Sequence, residues 1–325
     1  MKILLADPKS GTSQIDILSH EIGLFQEVVA RDLLQIVDKI GNCDAILVPH
    51  DAYFFHGDSD YVSYINKLSK FKPIIYSDRG DFPKKTRIRN SVAIRVAINP
   101  GENPNRKIVI PYNVESLSSL PMRRYTSNPS VSFVGYLPKV SLGRIQKSIL
   151  QTPFHPISGN GAIVRRKSLR QLKNSDLDSQ ITERTTYGAH PKTNLNVNET
   201  RDQYLETMTR SDFVLAPRGD ANQSARFYEA LSAGRIPIVP NTRIKLPIPL
   251  SNTKIGKLHT LTIQLSTSNN MENSVTEFWR TLDDVKYMQI QDELRFYFQE
   301  EFNFNTYVRR LFNLNFEMFL KLAHS

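Results

Sequence analysis

Residues 211–240, "SDFVLAPRGDANQSARFYEALSAGRIPIVP", run from an apolar strand (213–216) through a polar turn into a helix (near 223–233) and a second apolar strand (236–239). Gly234 stands where a helix stop belongs, and Pro237 marks the start of the next strand. Strand, turn, helix, strand is half of a parallel α/β unit. Such units bind ligands outside the carboxyl ends of their strands. The stretch therefore selects an α/β fold and directs attention to the turn that follows its first strand.

The pattern repeats outward. "KILLA" (2–6), "DAILVP" (44–49) and "KPIIYS" (72–77) are short apolar runs followed by polar residues. Between them, "DLLQIVDKI" (32–40) and "SDYVSYINKLSKF" (59–71) carry the three-and-four spacing of amphipathic helices. Strands alternating with helices imply a doubly wound parallel sheet. "VAIRVAI" (92–98) and "RKIVIPY" (106–112) add strands before the polar stretch "SLSSLPMRRYTSNPS" (116–130), the best linker in the chain. A second series opens with "VSFVGY" (131–136) and the helical "SLGRIQKSIL" (141–150); "NETRDQYLETMTRS" (198–211) is a further helix. Residues 158–198 are polar and are expected to form short elements and loops. The tail "EFNFNTYVRRLFNLNFEMFLKL" (301–322) is expected to be one long amphipathic helix. The organisation is two α/β domains with a cleft between them, 1–126 and 127–302, and a terminal helix at 303–325 crossing back onto the first.

A chain of 325 residues, 40% of them hydrophobic, has the length and composition of a two-domain globular protein. Its 42 Lys and Arg against 32 Asp and Glu leave a net charge of +10. That balance favours an anionic partner, whether nucleotide phosphate, nucleic acid, acidic glycan or anionic membrane, and also suits a merely solvated basic surface. A single cysteine, Cys43, excludes an intrachain disulfide and a cysteine-based zinc site. The start of the chain lacks the apolar core of a signal peptide, and no run approaches the ~20 apolar residues of a membrane span. The expectation is a cytoplasmic protein able to rest on a membrane face.

In the turn, Gly219 lets the backbone approach a phosphate, and Arg218 can pair with one in two-pronged fashion. Ser224 lies near the amino end of the next helix, where unpaired N–H groups and the dipole favour an anion. Arg226 is a second cation there, and Glu229 can accept hydrogen bonds from ribose hydroxyls. The alternative is structural: Asp220 caps the helix while Arg218 and Glu229 form surface ion pairs.

Residues 204–240 resemble the exostosin family of glycosyltransferases. The matching features are Tyr204, Met208, Ser211, Phe213, the turn from Ala216 to Asp220, Ser224, Arg226, Glu229 to Leu231, Ala233, Gly234, Ile236 and Pro237. "VSFVGY" followed by Gly143 and Arg144 is similar to the family's earlier strand and basic helix start, and "IIYSDRGDF" (74–82) more weakly to an amino-domain segment. The turn departs from the family in Ala221, Asn222 and Gln223, which replace a proline and paired serines, and in Ala225, where a basic residue is common. The resemblance implies a GT-B architecture, two Rossmann-type domains facing across a cleft. It also implies a nucleotide-sugar donor, most often a UDP-sugar, in the carboxyl domain, and transfer with inversion to a glycan or lipid-linked glycan. By the same resemblance Arg144, Arg218 and Ser224 contact the diphosphate and Glu229 the ribose. An epimerase or hydrolase of the same architecture, or a glycan-binding module without chemistry, remains open.

No cofactor or resident metal is expected. Two Asp-x-Asp triplets occur; Asp58–Ser59–Asp60 reads as a helix start and Asp176–Leu177–Asp178 falls in the polar region. An inverting reaction needs a base at the end of an amino-domain strand. Asp7, His50, Asp51, Asp78 and Asp81 meet that condition, with Asp78 ranked first and Asp51 second. For Asp78 the alternative is an ion pair or turn cap. His56 reads as lining a loop or the acceptor cleft. The basic run "FPKKTRIRN" (82–90) is a solvated loop or a contact for anionic lipid or glycan; it lacks the interleaved aromatics of a nucleic-acid surface.

Overall fold

Seven consecutive residues, Ser130–Tyr136, form an inner strand of the carboxyl half's sheet, and their alternation shows its two faces. Val131 and Phe133 enter one core cluster and Val134 the opposite one. A strand buried on both sides is what a doubly wound parallel sheet requires. The computed structural model describes residues 2–6, 34–52, 57–78, 88–152, 154–185, 197–248, 250, 258, 260–265, 270–314 and 316–324.

In chain order the amino half contains β1 (Lys2–Leu5), β2 (Gln35–Ile36), β3 (Ala45–Asp51), α1 (Ser59–Leu68), β4 (Ile74–Ser77), β5 (Ser91–Arg95) and β6 (Lys107–Val109). The carboxyl half contains β7 (Ser130–Tyr136), α2 (Leu142–Gln151), α3 (Gly161–Lys173), β8 (Asp178–Arg184), α4 (Val197–Thr209) and β9 (Phe213–Leu215). It continues with α5 (Ala225–Ala233), β10 (Ile236–Pro240), β11 (Ile263–Leu265), α6 (Met271–Arg280) and α7 (Asp284–Tyr297). A π-helical turn (Phe298–Phe302) then leads to α8 (Phe304–Leu314) and α9 (Phe316–His324).

Both sheets are parallel, ordered β2-β1-β3-β4-β5-β6 and β11-β10-β9-β7-β8. Each reverses its winding beside its first strand, so each has a switch point where ligands settle, β1/β3 in one and β7/β9 in the other. This is the GT-B arrangement of two Rossmann-type domains. In the amino sheet Ala45 and Leu47 face a core shared with α8 and α9, while Ile46 and Val48 face α1. Tyr307 of α8 donates to Val109 O at 3.1 Å, and Phe312 and Phe319 stack within the same core.

Three expectations are corrected. The stretch 32–40 holds the two-residue edge strand β2, not a helix, over its described part. A short apolar run has no periodicity that separates edge strand from helix. The polar region from 158 contains a thirteen-residue helix, α3, and a seven-residue strand, β8. The buried face of α3 is made of Gly161, Ala162, Val164, Ser168, Leu169 and Leu172, whose small members add little hydropathy, and its basic residues mask the rest. The tail does not begin as one helix at 301: a π turn and the extended Asn303 precede α8, with Asn303 capping it through the Thr306 N–H at 3.1 Å.

The 116–130 segment is docked along the carboxyl half. Leu117 is buried with Val134 and Val214, its N–H donates to Ser232 Oγ at 3.0 Å, and Tyr125 stacks on Trp279 at 4.8 Å between ring centroids. No helix among the described residues is long and apolar enough to cross a membrane.

Candidate functional site

The carboxyl ends of β7, β8 and β9 converge at the β7/β9 switch point, and a cavity of about 440 Å³ lies there. Its wall comes from Val134 to Tyr136 at the end of β7, Arg184 at the end of β8, and Thr200, Arg201 and Tyr204 on α4. The turn and first helical residues after β9, Gly219, Asp220 and Gln223 to Arg226, close the other side, with Glu229 one turn further along α5. Tyr112, just beyond β6, is the amino half's contribution.

Cations dominate this wall. Arg226 lies over the Phe133 ring at 5.1 Å and donates from Nε to Val134 O at 2.6 Å. Its guanidinium crosses Gly135 so closely that a Cβ there would sit 1.8 Å from Nη2, which only glycine permits. Arg184 donates to Thr200 O at 2.8 Å. Burial, with the Arg226 charge beside it, pushes the Arg184 guanidinium below its usual range. Arg165, reaching in from α3, donates to Arg218 O at 3.0 Å and Tyr136 O at 2.7 Å. Like charges held this close are relieved by an anion between them.

Ser224 is the N-cap of α5, yet its side chain makes no capping bond. Its Oγ is buried without a hydrogen-bond partner among the described residues. A buried unsatisfied hydroxyl costs about 1–3 kcal/mol. At a helix amino end, a ligand anion would remove that cost and gain the dipole as well. Glu229 accepts from the Tyr204 hydroxyl at 2.5 Å, and Arg201 Nη1 lies 3.7 Å from its other oxygen. Burial and the Glu229 charge raise the Tyr204 pKa well above its ordinary value, keeping the phenol a donor.

Of the residues singled out in the sequence, Gly219, Ser224, Arg226 and Glu229 stand together on this wall. Arg144 stands at the margin, its Nη1 3.0 Å from Asp220 Oδ1. Arg218 does not line the cavity. Its side chain is buried behind the turn, donating to Ser158 O at 3.1 Å, Asp220 O at 2.7 Å and Asn99 Oδ1 at 2.9 Å. Arg165 and Arg184 carry no signal in the sequence, because α3 and β8 lack a clear hydrophobic period; Arg201 occupies the α4 face that also carries Tyr204.

Asp78 follows β4 and is 3% exposed, ion-paired with Arg95, which is fully buried and also donates to Ala97 O at 2.9 Å. Neither lines the cavity. Asp51 closes β3, pairing in register with Ser77 beyond a register shift that follows Val48. His50 lies in the same strand, while Asp7, His56, Asp81 and most of the 82–90 basic run lie outside the described residues. Asp58 caps α1, its Oδ1 accepting from Tyr61 N at 2.9 Å. Asp178 begins β8, and Arg184 ends it. The second triplet is therefore at the opposite end of the sheet, roughly 20 Å from the cavity at ~3.3 Å per residue.

Residues 152–253 match the Exostosin GT47 domain. That span holds α3, β8, α4, β9 and α5, and with them most of the cavity wall. No curated protein sequence matches it. Among solved structures, the chain is similar to a glycosyltransferase from Rickettsia africae at 12% identity and TM-score 0.42, over 99% of this chain and 98% of that one. It is also similar to Anabaena HepE in complex with UDP-glucose, at 10% identity and TM-score 0.38, over 98% and 100%. A third is the catalytic domain of starch synthase IV from Arabidopsis thaliana bound to ADP and acarbose, at 10% identity and TM-score 0.41, over 97% and 79%.

Proposed function

We propose that this chain is an inverting glycosyltransferase of exostosin type. It takes a sugar from a nucleotide-sugar, a UDP-sugar by the family resemblance, and passes it to a glycan or lipid-linked glycan in surface polysaccharide synthesis. The observation that carries the reading is the switch-point cavity, whose wall combines Arg165, Arg184 and Arg226 with the unpartnered Ser224 hydroxyl. A diphosphate meets both needs at once, charge for the guanidiniums and an oxygen for Ser224. Glu229, at 17% side-chain exposure, offers a carboxylate to ribose hydroxyls one helical turn away.

In the reaction the acceptor hydroxyl attacks the anomeric carbon from the face opposite the diphosphate. Its proton passes to a base, and the bond between the anomeric carbon and the diphosphate oxygen breaks. The cations that hold the donor neutralise the charge gathering on the leaving group, the larger part of such catalysis. We assign the base to Asp51. Asp51 closes β3, at the carboxyl end of the strand beside the amino sheet's β1/β3 switch point, where ligands settle. Asp78, held by Arg95 and screened from solvent, serves the packing of the amino domain.

Two expected results follow from these assignments. Arg226→Ala should weaken UDP binding about ten- to a hundredfold, the loss of one charged hydrogen bond, with the fold intact. Arg218→Ala should lower the melting temperature instead. Titration calorimetry with both variants checks this, and a folded Arg226→Ala protein with parental UDP affinity removes Arg226 from the site. Activity should also survive excess EDTA, because guanidiniums take the role a divalent ion would have. Loss restored by Mn²⁺ would reassign that role to a metal. Product analysis distinguishes the alternatives: epimerised or hydrolysed donor without transfer indicates an epimerase or hydrolase, and saccharide binding without turnover a binding module.

A further inference from the structure

Helix α2 is built inside out. Its only residue buried from solvent, among those described, is Ser148, while Leu142 is 79%, Ile149 49% and Leu150 82% exposed. Positions 142, 145, 149 and 150 share one face at helical spacing, so the apolar stripe of an amphipathic helix faces outward. The loop that follows continues the inversion. Its polar groups turn inward, with Ser148 Oγ donating to Pro156 O at 2.6 Å and Thr152 Oγ1 to Ser148 O at 2.8 Å. Phe154 and Ile157 point out at 83% and 65% exposure. The tip is thus held in shape by its own hydrogen bonds and does not collapse onto its apolar side chains.

Charge surrounds this apolar surface. Residues 137–173 contain eight Lys or Arg and no Asp or Glu, against a net +10 for the whole chain. Lys139, Lys147, Arg166, Lys167 and Arg170 are exposed. Arg166 donates to Pro138 O at 3.1 Å, tying the approach to α2 onto α3, and Lys167 lines a cavity of about 380 Å³ together with Phe154 and Ile157. Apolar side chains alone would suit many partners. Ringed by cations from a segment that has no carboxylate of its own, they match a surface that is apolar just beneath and anionic above. Asp220 and Glu183 reach only Arg144 and Lys173, at its margins.

We propose that α2, the 152–158 loop and the outer side of α3 form the face by which this protein docks on an anionic lipid bilayer, Leu150, Phe154 and Ile157 entering the headgroup boundary. The assignment stands apart from the donor reading, since none of these three side chains lines the donor cavity. Arg144, on the first turn of α2, reaches Asp220 at that cavity's margin, so a docked protein would hold the cavity beside the membrane.

Cosedimentation with phosphatidylglycerol and phosphatidylcholine vesicles tests it. The parent protein should bind the anionic vesicles at low salt, release them as salt rises, and ignore phosphatidylcholine. The double variant Leu150→Ser/Phe154→Ser should lose at least about tenfold in partition while keeping its melting temperature, since both side chains are already in water. Charge reversal at Lys147 and Lys167 should lose as much. The proposal is overturned if the parent stays in solution with phosphatidylglycerol, or if the double variant binds like the parent. It is equally overturned if sedimentation velocity shows a parental dimer that the double variant breaks, which would make the face a contact between copies. Heparin binding that matches vesicle binding and ignores the two apolar substitutions would make it a glycan surface and have the same effect.

Discussion

Alanine at position 212 should remove about 3–5 kcal/mol of folding stability, the cost of breaking a buried ion pair from one side. The Asp212 side chain is fully buried at the start of β9. It accepts from Arg123 Nε at 2.5 Å, Tyr287 Oη at 2.8 Å, Ser130 N at 2.8 Å and Ser130 Oγ at 2.9 Å. One carboxylate thus joins the 116–130 segment, the first residue of β7 and helix α7. Without it Arg123 keeps a charge with no counterion, and the Tyr287 hydroxyl loses its partner in a buried site. Arg235 lies fully buried in the same region, where desolvation already lowers its pKa to about 10. Urea unfolding measures the effect. A loss under about 1 kcal/mol, the range of an exposed pair, would show that the network is not a desolvated one.

The second large effect is catalytic. Asp51→Asn should reduce turnover by about 10²–10⁴-fold, the contribution of a general base, while UDP binds as in the parent. Asp78→Asn, in contrast, should lower the unfolding midpoint and reduce activity only with it, because its carboxylate neutralises the fully buried Arg95. Steady-state kinetics and calorimetry on both variants separate the roles. Turnover within a few fold of the parent in folded Asp51→Asn protein, together with a folded but inactive Asp78→Asn protein, would return the base to Asp78.

The sequence of 211–240 contains the turn, both strands and the helix within a residue or two, since its boundaries have their own chemistry: apolar runs, and Gly234 at φ +71° as the helix stop. It also carries Gly219, Ser224, Arg226 and Glu229, four residues that the fold brings to one wall. Arg218 shows where such reading stops. An arginine after a strand looks the same in sequence whether it faces a ligand or, as here, donates to Gly219 O, Ser158 O, Asp220 O and Asn99 Oδ1 behind the turn. Arg184 and Arg165 depend on β8 and α3, an edge strand half in water and a helix whose inner face mixes Gly161, Ala162 and Ser168 with Val164, Leu169 and Leu172. Neither has the hydrophobic contrast that periodicity needs. Partners distant in the chain, such as Arg123 with Asp212 or Arg144 with Asp220, leave no local trace at all.

The 218–223 turn belongs to two structures at once. Gly219, Asp220 and Gln223 line the cavity, while Arg218 bonds Asn99 Oδ1 and Asn222 Nδ2 bonds Ile98 O at 3.2 Å, both in the amino half. Thermodynamic linkage follows from that sharing. If an occupant of the cavity stiffens the turn, separating the two halves becomes harder by some factor. By reciprocity, separating the halves must weaken the occupant by the same factor. Ligand affinity and interdomain geometry are then one equilibrium seen from two sides, and a substitution at Asn99, which does not line the cavity, would register in a binding isotherm.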